Sequence, residues 1–175
     1  MERRRARRSS VFFIVAAGLL LASLQPLHAA AKNKPAPPPL PPLPPFESLR
    51  WDKVNLRAGP GDNYPIRWVL THKGMPVAVL DRFDVWRKIR DWQGSVGWVH
   101  ERMLVGNRTV MVTGARRTLH ADPNIDAKAV ARADAGVVAR LLACHGNWCR
   151  IEAQSVKGWV ERHDIFGVTA TETVE

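Results

Sequence analysis

A tryptophan and glycine pattern occurs twice in this chain of 175 residues. The first copy reads Trp86-Arg87-Lys88-Ile89, then Gly97-Trp98-Val99, and the second reads Trp148-Cys149-Arg150-Ile151, then Gly158-Trp159-Val160. The first block is offset by 62 positions, from Trp86 to Trp148, and the second by 61, from Gly97 to Gly158. A repeat of this period indicates that one small unit of about 60 residues is used twice.

Short runs with a period of two dominate both copies. In the first copy they cover residues 54–57, 67–70, 76–80, 86–91 and 96–100, and turn residues such as Lys73-Gly74 and Gln93-Gly94 separate them. Several strands at this spacing predict an all-β fold, a small barrel or sandwich. Residues 126–135 are rich in alanine and favour a helix by propensity. Because the first copy has a loop and a strand at the matching place, we predict a loop and a strand there as well.

The first 31 residues have the pattern of a secretory signal peptide. Five arginines precede an apolar run at residues 11–24, and small residues follow at 29–31, where we expect cleavage. The run is shorter than the roughly 20 residues that a membrane span needs, although an uncleaved anchor remains the alternative. We therefore expect a periplasmic or secreted protein that meets the membrane only transiently, through its signal peptide.

A proline-rich segment, residues 32–47, separates the signal peptide from the first repeat. Its sequence predicts an extended polyproline II linker that acts as a stiff stalk. The alternative is a ligand for a proline-reading groove, since PxxP spacing is present.

The net charge of the full chain is +10. Removing residues 1–31 takes away five arginines and one glutamate, which leaves 21 basic and 15 acidic residues, a net charge of +6. The surplus is dispersed along the chain without a dense basic stripe, which disfavours nucleic acid as a partner. It is compatible with weak attraction to an anionic cell wall, or simply with solubility.

Cys144 and Cys149 are the only cysteines, and they flank His145-Gly146-Asn147-Trp148. Gly-Asn between two apolar runs predicts a hairpin, whose four-residue loop would place the two cysteines opposite each other. In an oxidising compartment we expect a structural disulfide. The alternatives are a zinc site that recruits His145 or His163 and a redox pair, but the spacing fits neither of them well. We assign no metal.

The residues give little support to catalysis, and we predict that the chain is not an enzyme and needs no cofactor. Cys144 stands beside His145, but neighbours in a strand point to opposite faces, so the histidine is badly placed to activate the thiol. Ser48, Ser95 and Ser155 lie outside any nucleophile-elbow pattern. The histidines are scattered, which is typical of surface or turn residues.

Aromatic residues give the better lead to function. Trp86 shares its parity with Lys88, while Ile89 takes the inward face, so Trp86 is a candidate ligand platform on the polar side of a strand. Tyr64 and Trp68 flank the loop after Gly61, and we expect them to complete a groove with Trp86. Coverage of the interface between the repeats is the competing explanation for these aromatics. Core packing accounts for Trp98 and Trp159.

Three blocks of the first repeat resemble the bacterial SH3 (SH3b) family: the opening Val54-Asn55-Leu56-Arg57-Ala58-Gly59-Pro60-Gly61, the central Trp86-x-x-Ile89 and the closing Gly97-Trp98-Val99. The second repeat keeps the last two blocks but has Leu119-His120-Ala121-Asp122-Pro123-Asn124 in place of the first. Its loop should therefore differ, because the missing glycines permit positive φ.

The resemblance implies two tandem SH3-like β-barrels of five to six strands, and binding rather than catalysis, at cell-wall peptides or envelope proteins. We predict the following organisation: a signal peptide at 1–31, a linker at 32–47, repeat one at 48–107, repeat two at 108–169 and a C-terminal tail at 170–175. The predicted function is recognition of cell-wall peptide or glycan by Tyr64, Trp68, Trp86 and Lys88. An adaptor for an envelope protein is the alternative.

Overall fold

The predicted alternating runs form short strands in the computed structural model, which describes residues 42–175. The predicted signal peptide and most of the linker lie outside these residues. Repeat one contains β1 (Phe46–Leu49), β2 (Val54–Arg57), β3 (Ile66–Leu70), β4 (Pro76–Phe83), β5 (Trp86–Arg90), β6 (Val96–His100) and β7 (Leu104–Val105). Repeat two contains β8 (Thr109–Val112), β9 (Arg117–His120), β10 (Ala129–Ala133), β11 (Val138–His145), β12 (Trp148–Ala153), β13 (Val156–Glu161) and β14 (Ile165–Phe166).

Each repeat forms one seven-stranded antiparallel sheet, and the strand order is the same in both. The orders are β3-β2-β6-β5-β4-β1-β7 and β10-β9-β13-β12-β11-β8-β14. Leu70 on one edge strand and Leu104 on the other belong to the same buried cluster, so the sheet curls around its core as a small barrel. The all-β prediction is confirmed. The strand count exceeds the expected five to six because two short strands join each sheet, β1 and β7 in repeat one and β8 and β14 in repeat two.

The two copies also share their irregularities. A β-bulge falls between Val79 and Asp81 in β4 and again between Leu141 and Ala143 in β11. The alanine-rich stretch contains β10 rather than a helix, as the comparison of the copies predicted. Within residues 42–175 no helix is long and apolar enough to cross a membrane.

Strand β1 starts at Phe46, inside the stretch that the sequence assigned to the linker. Phe46 is buried and pairs with Ala78 of β4. The start of β1 was not recognised in the sequence, because Phe46 directly follows Pro45 at the end of the proline-rich segment. At the other end, the predicted tail packs back on repeat two: Val174 forms a β-bridge with Cys144, and Glu172 pairs with Arg108 at 2.7 Å.

The repeats contact each other through β1, β8 and the turn before β4. Met111 of β8 is buried in the core of repeat one, while its neighbours Val110 and Val112 are buried in the core of repeat two. Because successive side chains of a strand point to opposite faces, one strand serves both cores. Ser48 lies 2.6 Å from Thr109, oxygen to oxygen, in the same interface. The expected packing of the two units is confirmed by these contacts.

The glycine of the repeated Gly-Trp-Val motif is fixed by close approach of a neighbouring strand. A Cβ on Gly97 would lie 2.7 Å from the carbonyl oxygen of Arg57 and 2.7 Å from Leu56 Cγ. A Cβ on Gly158 would lie 2.7 Å from Leu119 Cβ in the second copy. The glycine of the motif therefore marks the position where β6 approaches β2 in repeat one and where β13 approaches β9 in repeat two.

The disulfide predicted between Cys144 and Cys149 is present, and it joins facing residues of β11 and β12. The turn is tighter than the predicted four-residue loop, because His145 and Trp148 also pair and leave only Gly146-Asn147 between the strands. Both cysteines are fully buried in the core of repeat two. Since their sulfurs bond to each other, neither is available to a zinc ion.

We expect Gly97→Ala to lower the free energy of unfolding by about 1–3 kcal/mol, because the added methyl group collides with backbone that cannot yield cheaply. Urea denaturation followed by tryptophan fluorescence measures the change. Gly106→Ala is the matched control, since a Cβ there would meet nothing within 4 Å. Equal midpoints for the two variants would contradict the close-approach explanation.

Replacing both cysteines by alanine should cost about 2 kcal/mol of stability, because the cross-link restricts the unfolded chain. Urea midpoints of the double variant and of the dithiothreitol-reduced wild type give two independent measurements. The intact mass of the oxidised protein should be two hydrogens below that of the reduced protein. An unchanged midpoint in both samples would show that the disulfide contributes nothing.

Candidate functional site

The outer face of β2, β5 and β6 carries the candidate site of repeat one. Ile89 is fully buried in the core, and Trp86 takes the opposite face, as the parity of β5 predicted. Trp86 lies opposite His100 of β6, with ring centroids 5.5 Å apart. The next outward pair is Lys88 and Trp98.

We call the depression at this face the Trp86 groove. It has a volume of about 160 Å³ and is lined by Lys53, Asn55, Arg57, Asp62, Trp86, His100, Arg102 and Met103. Trp86 is only 9% exposed, so it forms the floor of the groove rather than the open platform that the sequence suggested. A ligand in this groove would meet the polar rim first and the indole beneath it.

Repeat two has a groove at the corresponding place, which we call the Trp148 groove. It has a volume of about 290 Å³ and is lined by Arg116, Arg117, Thr118, His120, Ile125, Trp148, Glu161 and Asp164. Trp148 occupies the position of Trp86, and His120 packs edge-on against it at 5.6 Å between ring centroids. His120 is buried, unlike the surface histidine that we predicted, and its Nδ1 lies 2.9 Å from the carbonyl oxygen of Ala127.

The two grooves differ in how their charges are paired. In the Trp148 groove the Arg116 guanidinium binds Asp134, a hydrogen bond that raises the pKa of Arg116. Arg117 Nε lies 3.0 Å from Asp164, whose carboxylate is buried. The cations of this groove are therefore already neutralised by carboxylates of the same repeat.

In the Trp86 groove the corresponding ion pair is that of Arg57 with Asp62, at 3.2 Å. Lys53 and Arg102 are exposed on the rim, and within the described residues neither side chain has an ion pair. This leaves two cations of repeat one available to an anionic group such as a carboxylate.

The loop between β2 and β3 is built on contact between Tyr64 and Gly59. A Cβ on Gly59 would lie 2.5 Å from Tyr64 Cδ1, so the ring rests directly on the glycine. Arg57 Nη1 donates hydrogen bonds to the carbonyl oxygens of Asp62 and Tyr64, which closes the loop. Gly59 and Gly61 do not have positive φ, so the predicted reason for these glycines was wrong. Repeat two loses glycine and tyrosine together, with Asp122 and Ala127 at their positions.

The structure does not gather the four predicted ligand-binding residues into one groove. Trp86 lines the Trp86 groove, whereas Trp68 lines a different cavity near repeat two. Tyr64 covers Gly59, and Lys88 lines neither cavity. A binding role for these four residues stays a prediction.

Trp98 and Trp159 correct a second expectation, since neither belongs to a core cluster. Both are partly exposed on the outer face, and the buried members of Gly-Trp-Val are the glycine and the valine. Alternation along the strand explains this, because Val99 and Val160 occupy the inward positions.

Sequence reasoning missed Lys53, Arg57 and Arg102 on the rim of the Trp86 groove. Lys53, Asn55 and Arg57 alternate with the buried Val54 and Leu56, so their outward direction was readable from the sequence. Their position in one groove with Trp86 was not readable from the sequence, because it depends on the pairing of β2 with β6.

One group of possible metal ligands occurs in the described part of the chain, at Glu161, His163 and Asp164. Asp164 is engaged by Arg117, so the group is an ion-pair network and we assign it no metal.

A bacterial SH3 domain family model matches residues 51–106 and 114–167, which together make up more than half of the chain. The chain belongs to the bacterial SH3 domain family. Each match falls within one of the curled sheets, so both repeats are bacterial SH3 units and the recognition from sequence is confirmed.

Relatives of these bacterial SH3 units include a protein of Bacillus subtilis (strain 168) named "Putative N-acetylmuramoyl-L-alanine amidase YrvJ". It is 24% identical over 131 residues, which cover 65% of this chain and 25% of the relative. The chain thus spans about a quarter of the length of that protein.

Among solved structures, an NlpC/P60 family protein from Bacillus cereus ATCC 10987 is 16% identical, with a TM-score of 0.32 over 69% of this chain and 55% of that chain. NlpC2 from Trichomonas vaginalis is 13% identical, with the same TM-score over 69% and 47%. At this TM-score the likeness adds nothing to the topology described above.

The contact between Gly59 and Tyr64 predicts strong coupling of the two positions. Gly59→Ala should destabilise the protein by about 1–3 kcal/mol, because the methyl group displaces the ring. In a Tyr64→Ala background, which removes the obstacle, the same change should cost less than about 0.5 kcal/mol. A double-mutant cycle by urea denaturation measures the coupling. Additive costs would show that the ring does not fix this glycine.

Proposed function

We propose that this chain is a non-enzymatic, secreted tandem module that binds cell-wall peptide or glycan through repeat one. The observation that carries the proposal is the Trp86 groove, in which Lys53 and Arg102 stand over an indole floor without an ion pair among the described residues. A carboxylate of a wall peptide would form ion pairs with these two cations, while the apolar part of the ligand packs on the indole of Trp86.

The comparisons support the same direction. The relative from Bacillus subtilis carries the name of an amidase of N-acetylmuramoyl-L-alanine, a component of the wall, and the match covers 65% of this chain. The signal peptide predicted at residues 1–31 would deliver the mature chain to the wall. We propose that the two SH3 units bind the cell wall and catalyse no reaction on it.

The Trp148 groove supplies an internal comparison. It has the same fold and an equivalent tryptophan, but its arginines are paired with Asp134 and Asp164. We therefore propose that repeat one makes the main contact and that repeat two contributes little to affinity.

Purified peptidoglycan sacculi and the mature chain, residues 32–175, give a direct test by co-sedimentation. We expect the wild type to pellet with the sacculi, to release no soluble fragments from them, and to bind less at high salt because charges contribute. Trp86→Ala should reduce affinity about tenfold or more, whereas Trp148→Ala should leave it within about twofold.

Because Trp86 is buried, Trp86→Ala could weaken binding by disturbing the fold. A pair of charge reversals at exposed positions tests the groove without that risk. Lys53→Glu with Arg102→Glu changes only exposed side chains and should abolish pelleting. Lys128→Glu with Lys157→Glu makes the same change of net charge on exposed residues outside the Trp86 groove, and should pellet like the wild type. Equal pelleting by all variants would remove the Trp86 groove from the site.

The edge strand β3 favours the second candidate function, an adaptor for an envelope protein. Ile66, Trp68 and Val69 are all exposed on this strand, and the free edge of a sheet can pair with a strand of a partner. Crosslinking in cells that captures one protein partner, together with no pelleting of the wild type on sacculi, would favour the adaptor over wall binding.

A further inference from the structure

Two exposed tryptophans of repeat one lie outside the Trp86 groove and line a cavity of about 400 Å³ at the junction with repeat two. We call it the Trp68 pocket. Trp68 of β3 and Trp92 of the β5–β6 turn form its walls, with 62% and 42% of their surfaces exposed. Met111 reaches it from repeat two, so the pocket exists only when the repeats pack together.

The charge of this pocket differs from that of the chain around it. The chain has 26 lysines and arginines, yet none of those within residues 42–175 lines the Trp68 pocket. Its carboxylate, Asp91, is buried and accepts hydrogen bonds from the backbone amides of Gln93 and Ser95. A phosphate or carboxylate ligand would find no lysine or arginine here, and the Asp91 carboxylate is already engaged by two backbone amides, so the lining suits a neutral ligand.

The second repeat shows that the scaffold does not require these aromatics. The position of Trp68 is held by Ala131, since Trp68 pairs with Leu56 just as Ala131 pairs with Leu119. The turn that corresponds to the one with Trp92 contains Gln154 and Ser155 instead. Two large exposed indoles that folding does not need are a mark of a binding surface.

Polar groups stand beside the two indoles at the rim of the pocket. Gln93 and His72 both line it, and His72 has a φ of 151°, a value that residues with a side chain rarely adopt. Strained backbone of this kind is concentrated at ligand sites, where the surrounding structure holds a side chain in a fixed place.

We propose that the Trp68 pocket binds a neutral sugar ring of a glycan strand. The C–H face of a pyranose stacks on a flat indole, and its hydroxyl groups exchange hydrogen bonds with polar groups such as Gln93 and His72. The inference deepens the proposed function, on which it rests for the source of the glycan. It adds a second subsite, distinct from the Trp86 groove, whose ligand is uncharged.

Isothermal titration of the mature chain with the β-1,4-linked tetramer of N-acetylglucosamine tests the proposal with a neutral, soluble probe. We expect weak, saturable binding that Trp68→Ala and Trp92→Ala each reduce at least tenfold. Trp51→Ala is the matched control, because the exposure of Trp51 lies between those of Trp68 and Trp92 but it lines neither cavity. This variant should bind within twofold of the wild type. Binding of the tetramer should not change between 150 and 500 mM salt, unlike pelleting on sacculi.

The outcomes separate this inference from the proposed function. A wild type that pellets with sacculi but does not bind the tetramer overturns the sugar assignment and leaves the proposed function standing. Tetramer binding without pelleting supports the pocket and removes the proposed function. Binding that survives both tryptophan substitutions, or a neutral peptide that competes with the tetramer for the same two tryptophans, also overturns the assignment.

Discussion

Strand β8 serves two hydrophobic cores with alternate side chains, and the arrangement of the described molecule depends on it. Val110 and Val112 fill the core of repeat two, while Met111 between them is buried in the core of repeat one. A unit of about 60 residues buries little apolar surface by itself, so a shared strand supplies contacts that a single unit lacks. The same strand brings Met111 to the Trp68 pocket, which links the packing of the repeats to a candidate binding surface.

Comparison of the two repeats distinguishes the features that the fold requires, which both copies share, from the features that only one copy has. Both copies keep the glycine that lets β6 or β13 approach its neighbour, the bulge in the longest strand and the tryptophan that lines the groove. They differ in the paired charges of the Trp148 groove, and in the alanines of repeat two where repeat one has Tyr64 and Trp68. Stability explains the first set of features, and the second set concentrates candidate binding chemistry in repeat one.

Much of the fold was readable from the sequence, because a period of two and a repeated motif are local signals. The strands, the disulfide and the outward face of Trp86 followed from them. The candidate site was read less well. Trp68 and Trp86 looked like parts of one groove, but they lie on different walls of the unit, and a distance along the chain does not give a distance across a curled sheet. The reason for Gly59 was also missed, since it is the ring of Tyr64 and not a backbone angle.

The sequence by itself determined that the chain contains two unequal copies of one all-β unit and that only the second copy has a cross-link. Those features depend on residue order, on alternation and on the spacing of two cysteines. Tertiary structure alone decided which residues line one cavity: Lys53 and Arg102 with Trp86, and Trp68 and Trp92 with Met111 of the other repeat. Each of these two groups joins residues from different strands or turns, so it follows from the pairing and curling of the sheet. The contact of Tyr64 with Gly59 lies within the single loop between β2 and β3 and was also decided by the structure. The doubled tryptophan pattern identifies the unit, and the contacts between strands define its candidate sites.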